Sequence, residues 1–209
     1  MKLAFIGIGN VGFAIANNLQ RKGHKIIIAH NDLKNETVQK ALQKNTAFTV
    51  QKMQEAIHNA TVIFLATPFS VSKEILETLH FKGKILVDCT NPVGKGISHG
   101  LNSKISGAEK IQEWASDAKV VKAFTIYGFE NLINSNFPNY NINPVMMIAG
   151  NDLISKKQVS KLCEDLGFQA LDTGTLDLAL HLEHLTLLWV KMVRRDGHHP
   201  NFTWAYLEK

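Results

Sequence analysis

The sequence predicts an α/β protein: a Rossmann-type, doubly wound parallel sheet with a small C-terminal α/β extension ending in a helix. Three observations carry this expectation. A buried-strand pattern, Lys2–Ile6, runs straight into Gly7-Ile8-Gly9-Asn10-Val11-Gly12. Short aliphatic runs then alternate with helical stretches at intervals suited to βαβ crossovers. The run Thr61–Ala66 is apolar almost throughout, as a strand covered on both faces must be.

Each glycine of the first turn has its own physical task. Gly7 permits a tight exit from the strand, and Gly9 offers no Cβ to block an approaching diphosphate. Gly12 lets the next helix lie close to the sheet, so its free N–H groups and positive dipole end face the phosphates. Asn10 and Val11 lie in the same turn and count with the glycines as cofactor-binding candidates. A bare G-x-G-x-x-G is a weak signal, but here it follows a strand and opens a helix, the context that gives it meaning.

The first helix is expected from Asn10 to Lys22, with Gly23 just past its end. Strand two follows at Lys25–His30, a polar helix at Asn35–Lys44, a short strand at Ala47–Val50 and a helical turn at Met53–His58. After strand four, Thr67-Pro68-Phe69-Ser70 breaks the chain, and Ser70 is expected to cap a helix ending near His80. Strand five is Lys84–Asp88, and residues 90–96 form a turn-rich loop. Ser106 and Glu109 make a capping-box pattern for a helix through Trp114, and Lys119–Phe124 reads as strand six. Tyr127–Asn143 reads as a surface excursion with a helical turn. A strand at Val145–Ala149, a helix at Asp152–Leu166 closed by Gly167, and a strand at Phe168–Leu171 come next. Leu178, Leu182, Leu185, Trp189 and Met192 then mark one apolar helix face. The tail carries Phe202, Trp204 and Tyr206, and its docking place, body or partner subunit, stays open. We expect residues 1–124 to form the NAD(P)-binding domain and residues 125–209 a smaller region completing the substrate cleft.

Composition narrows the function classes. At 209 residues, 45% hydrophobic and 20% charged, the chain is ordinary for a globular protein. No run approaches the roughly 18 apolar residues of a membrane span. The first strand begins at residue 2 or 3, leaving no room for a signal peptide before the fold, so a cytoplasmic location is expected. Cys89 and Cys163 read as buried, reduced thiols. The net charge of +5 comes from scattered lysines, which suits anionic cofactors and argues against a nucleic-acid patch.

In an open α/β sheet, ligands lie beyond the carboxyl ends of the strands, where strand order reverses. Ala66-Thr67-Pro68, Asn91-Pro92 and Ala123-Phe124 are the exits of strands four, five and six, so all reach that crevice. Pro68 and Pro92 hold extended turns, and Asn91 offers a donor and an acceptor to a ribose or carboxamide. Cofactor-binding candidates here are Ala66, Thr67, Pro68, Asn91 and Pro92.

Several segments, in this order, resemble one family: Gly7–Gly12, Ala66-Thr67-Pro68-Phe69, Asp88-Cys89-Thr90-Asn91-Pro92-Val93, Val120-Val121-Lys122-Ala123-Phe124, Ala149-Gly150-Asn151-Asp152 and Leu171-Asp172-Thr173-Gly174-Thr175-Leu176. The chain is similar over about Met1–Arg195 to the deazaflavin-coenzyme-dependent NADP reductases, whose relatives include the oxidoreductase domain of the Steap metalloreductases. The resemblance implies hydride transfer between NADP(H) and a deazaflavin- or flavin-like acceptor, with Glu183 and Thr186 where the last helix lines the site. At the tip of strand two the family tends to have a hydroxyl and then a basic residue for the 2′-phosphate. This chain has His30, Asn31 and Asp32 there, so the expected phosphate contacts are His30, Asn31 and Lys34, with NADP the expected cofactor and NAD the alternative.

No metal site is expected. His181 and His184 share a helix face, but the spacing lacks the further ligands a metal needs. Hydride transfer between two bound rings depends on alignment, so no catalytic acid or base is assigned. An imine or ketone acceptor would require a proton donor, and Thr67, His184 and Thr186 are then the candidates. The acceptor is expected to be a small molecule, and the apolar last helix suggests a homodimer. The competing function class is an NAD(P)-binding redox sensor without turnover.

Overall fold

The computed structural model describes residues 1–209. The first half alternates β1 (Lys2–Ile6), α1 (Asn10–Arg21), β2 (Lys25–Ala29), α2 (Glu36–Lys44), β3 (Thr49–Gln51), α3 (Met53–Asn59), β4 (Val62–Leu65), α4 (Phe69–Leu76) and β5 (Ile85–Asp88). There follow β6 (Val93–Gly94), β7 (Ser98–His99), α5 (Gly107–Trp114), β8 (Lys119–Lys122), α6 (Phe129–Ile133), β9 (Val145–Gly150), α7 (Leu153–Asp165), β10 (Gln169–Asp172) and α8 (Ala179–Val190). A 3₁₀ turn, Leu176–Leu178, leads into α8, and a π-helical turn, Lys191–Arg195, continues it.

One eight-stranded sheet runs β3-β2-β1-β4-β5-β8-β9-β10. The first six strands are parallel and doubly wound, as expected. The chain turns back across the sheet between β1 and β4, which places the switch point beside Gly7. Strands β1 and β4 are buried apart from Lys2, and Phe5 and Phe64, paired in register, stack with ring centroids 4.5 Å apart. The extension joins the same sheet in the opposite sense: β9 is antiparallel to β8 and parallel to β10. Only Ala149 and Gly150 of β9 pair with β8, so the rest of that strand overhangs the carboxyl edge.

Several boundaries differ from expectation for local reasons. Ser70 does not cap α4: the helix begins at Phe69 with Pro68 in the cap position, and it stops at Leu76. Residues 90–96 are not wholly loop, because Val93–Gly94 pairs with Ser98–His99 in a small hairpin. Strand β8 ends at Lys122, two residues early, since Phe124 has φ +61° and breaks the ladder. On α8 the buried stripe is Leu182, Glu183, Thr186 and Trp189, continued by Val193. Leu185 and Met192 are only half-buried. The tail lies on the body: Trp204 O accepts from Val145 N at 3.0 Å, and Phe202 stacks with Trp189 at 6.3 Å.

Candidate active site

The glycine turn is fixed by close backbone approach. At Gly7, φ is +93° and a Cβ would lie 2.6 Å from the Ala66 carbonyl. A Cβ on Gly12 would collide with Gly7 O. Gly9 is different: nothing lies within 4 Å of where its Cβ would be, so its lack of a side chain serves open space. Helix α1 carries no side-chain cap and no acid in its first turn. By contrast α2, α5 and α7 are capped by Asn35, Ser106 and Asp152. The exposed Asn10 and half-buried Val11 therefore present N–H groups to whatever occupies the space above Gly9.

A crevice of about 330 Å³ is lined by Pro68, Phe69, Ser70, Asn91, Pro92, Val93 and Gly100. It joins the exits of β4 and β5, as the sequence suggests. Asn91 Oδ1 is buried without a hydrogen-bond partner. An orphaned amide oxygen costs free energy unless a ligand supplies the donor, and a carboxamide or ribose hydroxyl fits that need. Phe69 is backed by Trp114 at 5.4 Å, giving the crevice an aromatic wall. Thr67 Oγ1 lies 3.2 Å from Ser72 Oγ, and Ala66 and Thr67 are half-buried under the turn.

The tip of β2 is organised by short-range bonds. His30 Nδ1 faces the Asp32 backbone, 2.7 Å from its O and 3.1 Å from its N, leaving Nε2 free. Asp32 Oδ1 accepts from Lys34 N at 3.0 Å, so that carboxylate is occupied locally. Asn31 Oδ1 accepts from Met53 N at 3.2 Å, while Lys34 is exposed. These residues stand together at the carboxyl edge of β2.

Behind the crevice lies a buried charge network the sequence reading missed. Lys122 Nζ is 2.9 Å from Asp88 Oδ2 and 3.0 Å from Glu183 Oε1, and all three side chains are fully buried. Lys122 also donates to Thr90 O at 2.5 Å. Burial opposes its charge, but Asp88 and Glu183 outweigh that and hold the ammonium above the ordinary lysine value. Burial likewise pushes the Glu183 carboxyl up, yet Lys122, the Gly107 N–H and His99 overcome it and hold it below the ordinary range. Glu183 accepts from Gly107 N (2.9 Å) and Ala108 N (3.2 Å), the first residues of α5, and from His99 Nε2 (2.8 Å). Gly107 packs so closely that a Cβ would lie 3.0–3.1 Å from Pro92, Glu183 and Phe69. A charged residue in the middle of the apolar run Val120–Phe124 was the available signal, since a buried lysine requires a carboxylate.

The remaining candidates fall elsewhere. Thr186 Oγ1 donates within the core to Thr125 O and Leu182 O, and so has no proton to offer the crevice. His184 Nε2 lies 2.9 Å from Ser103 Oγ, and partial desolvation with His99 nearby lowers its pKa. Cys89 and Cys163 are free and buried, as expected, and burial raises both thiols.

Fold and crevice together define a Rossmann-type dinucleotide-binding protein with an overhanging C-terminal addition. Residues 2–92 match the family described as NADP oxidoreductase, coenzyme F420-dependent, the family that the sequence motifs resemble. A crystal structure from Arthrobacter sp. FB24, provisionally assigned as an F420-dependent NADP-reductase, superposes with TM-score 0.82 and 26% identity. It covers 99% of this chain and 100% of its own. Metalloreductase STEAP3 of Rattus norvegicus is 28% identical over 191 residues, 89% of this chain, which spans only 36% of that relative's length. A reductive aminase from Aspergillus terreus in complex with NADPH and ethyl levulinate shares the fold, with TM-score 0.67 and 16% identity over 92% of this chain and 61% of its own. No helix is long and apolar enough to cross a membrane.

Proposed function

We propose that the protein is an NADP(H)-dependent oxidoreductase that passes hydride between a nicotinamide in the Pro68–Asn91–Pro92 crevice and a planar deazaflavin- or flavin-like acceptor. The observation that carries this reading is the uncapped Gly7–Gly12 turn abutting the Ala66–Thr67 backbone at the exit of β4, in a segment matching the NADP oxidoreductase family, with the orphaned Asn91 oxygen after β5 as support. The residues fit the cofactor. Gly7, Gly9, Asn10, Val11 and Gly12 hold the diphosphate, while His30, Asn31 and Lys34 meet the adenosine phosphate. Ala66, Thr67, Pro68, Asn91 and Pro92 frame the nicotinamide ribose and carboxamide.

When bound, NADPH supplies a hydride to the acceptor ring. The chain's own part is alignment and exclusion of water. Asn91 fixes the carboxamide, Phe69 and Pro92 wall the ring, and no side chain is required to move a proton for a flavin-like acceptor. Residues 125–209 complete the cleft through α8. The protein works in the cytoplasm on a small-molecule acceptor, as a homodimer whose assembly size-exclusion chromatography tests.

Stopped-flow oxidation of NADPH with a deazaflavin, a flavin, a quinone and a ferric chelate tests the proposal; the chelate is included because the rat relative is a metalloreductase. Fast oxidation with the ring acceptors, and tighter binding of NADPH than of NADH, are the expected results. Binding without turnover on any acceptor would instead make the protein a redox sensor.

A further inference from the structure

We propose that His99 is a positioning residue: it locks the Pro92–Gly100 wall of the crevice and so fixes which face of the nicotinamide meets the acceptor. The inference rests on the cofactor reading above and deepens it. His99 is 6% exposed, and both ring nitrogens are spent within the protein. Nε2 donates to Glu183 Oε2 at 2.8 Å. Nδ1 accepts from Leu101 N at 3.3 Å and Ser103 N at 3.2 Å, so it carries no proton and the tautomer is set. With no nitrogen left for a substrate, the ring can act only through what it holds.

What it holds is the crevice wall. His99 pairs with Val93 across the β6–β7 hairpin, and the next residue, Gly100, donates its N–H to Pro92 O at 2.6 Å. Val93, Pro92 and Gly100 all line the crevice. The same segment carries three non-glycine residues at positive φ: Ile97 (56°), Asn102 (54°) and Ser103 (54°). L-residues stay in that region when their surroundings impose it, and such outliers gather where a loop must hold one shape. The Leu101 and Ser103 N–H groups, aimed at one imidazole nitrogen, supply the imposition.

The far end of the ring is anchored with equal firmness. Glu183 already receives Lys122, Gly107 N and Ala108 N, and His99 fills its remaining acceptor site. Through Glu183 the wall is tied to the ends of β5 and β8 and to the start of α5. The hairpin therefore moves with the sheet edge that carries Asn91, and the two sides of the crevice stay in register.

The test compares His99→Gln and His99→Asn with the wild-type chain, using NADPH as probe. Gln keeps a donor toward Glu183 but loses the acceptor for the loop; Asn places an oxygen where Nδ1 stands. Saturation-transfer NMR reads adenine and nicotinamide protons separately. For His99→Gln we expect adenine contact and NADPH affinity unchanged, a weakened nicotinamide signal, and mixed transfer from the 4R- and 4S-deuterated cofactors. Misalignment of about 1 Å slows hydride transfer by up to roughly 10²-fold, and His99→Asn is expected to recover part of that loss. An unaltered nicotinamide signal and unaltered facial choice in His99→Gln would overturn the positioning role alone. Failure of the wild-type chain to bind NADPH would overturn the cofactor reading and this role together. If the variants do not fold, amide exchange of wild-type Leu101 and Ser103 decides: protection that deepens with NADPH supports the lock, and free exchange in both states overturns it.

Discussion

Gly9 and Gly12 separate binding from folding, because one faces open space and the other faces backbone. Gly9→Ala adds a methyl group where nothing lies within 4 Å, at a backbone conformation alanine accepts. The melting temperature should stay within a few degrees of wild type, since surface substitutions change stability by about 0.5 kcal/mol or less. NADPH affinity should fall tenfold or more, as about 1.4 kcal/mol of lost diphosphate contact suffices. Gly12→Ala drives its methyl into Gly7 O and should destabilise the fold outright, by about 1–3 kcal/mol. Calorimetric titration and thermal unfolding of both variants check the contrast. This part of the site was legible in sequence because the three glycines stand at a fixed short spacing between a strand and a helix, even though Gly7 answers to the distant Ala66, Gly12 to Gly7 O and Gly9 to open space. His99 and Glu183 were not legible as partners, because 84 residues separate them and neither sits in a spaced motif.

Between elements, the Asp88–Lys122–Glu183 cluster ties β5, β8, α5 and α8 at the carboxyl edge. Removing its one lysine leaves two carboxylates buried without a countercharge. Lys122→Met should therefore cost about 3–5 kcal/mol, far more than the packing change alone. Lys122→Met combined with Asp88→Asn and Glu183→Gln should recover part of that loss, because the uncompensated charges are gone. Urea unfolding of the single and triple variants measures the difference, and equal stabilities would show that the charges contribute nothing. The strands and helices joined here were readable from apolar periodicity and caps; the Ser106–Glu109 capping box forms as its spacing implies. The face of α8 was harder. That helix is apolar nearly all round, so the pattern could not show that Glu183 and Thr186 turn inward while Leu188 is left 46% exposed. The β6–β7 hairpin escaped notice because its strands are two residues each and flank lysine and glycine, a composition that reads as loop.

Across the whole molecule, the titrating groups set a stability plateau with different causes at its two ends. On the acid side, desolvation lowers the pKa of His184, so unfolding takes up protons as pH drops below about 6.5 and stability falls. Glu183 and Asp152 steepen that fall in the ordinary carboxylate range, since both are held low in the folded chain, Asp152 at about 2 by its Ser155 and Lys119 bonds. Lys122 has the opposite sign: its raised value contributes stability below the ordinary lysine range, near pH 10.4, that is lost only above it. The thiols act sooner. Burial raises Cys89 and Cys163, so above about pH 8.5 the unfolded chain releases protons that the folded chain keeps. Stability then falls with pH by up to about 1.4 kcal/mol per unit for each thiol. Thermal unfolding from pH 4 to 11 should show a plateau between about pH 6.5 and 8.5 and an alkaline limb that starts with the thiols. Replacing both cysteines by alanine should lower the plateau through lost packing, yet move the start of that limb up toward pH 10, where Tyr127, also raised by burial, and Lys122 take over. An alkaline limb that starts at the same pH in the double variant would mean that the thiols ionise as freely in the folded chain as in the unfolded one.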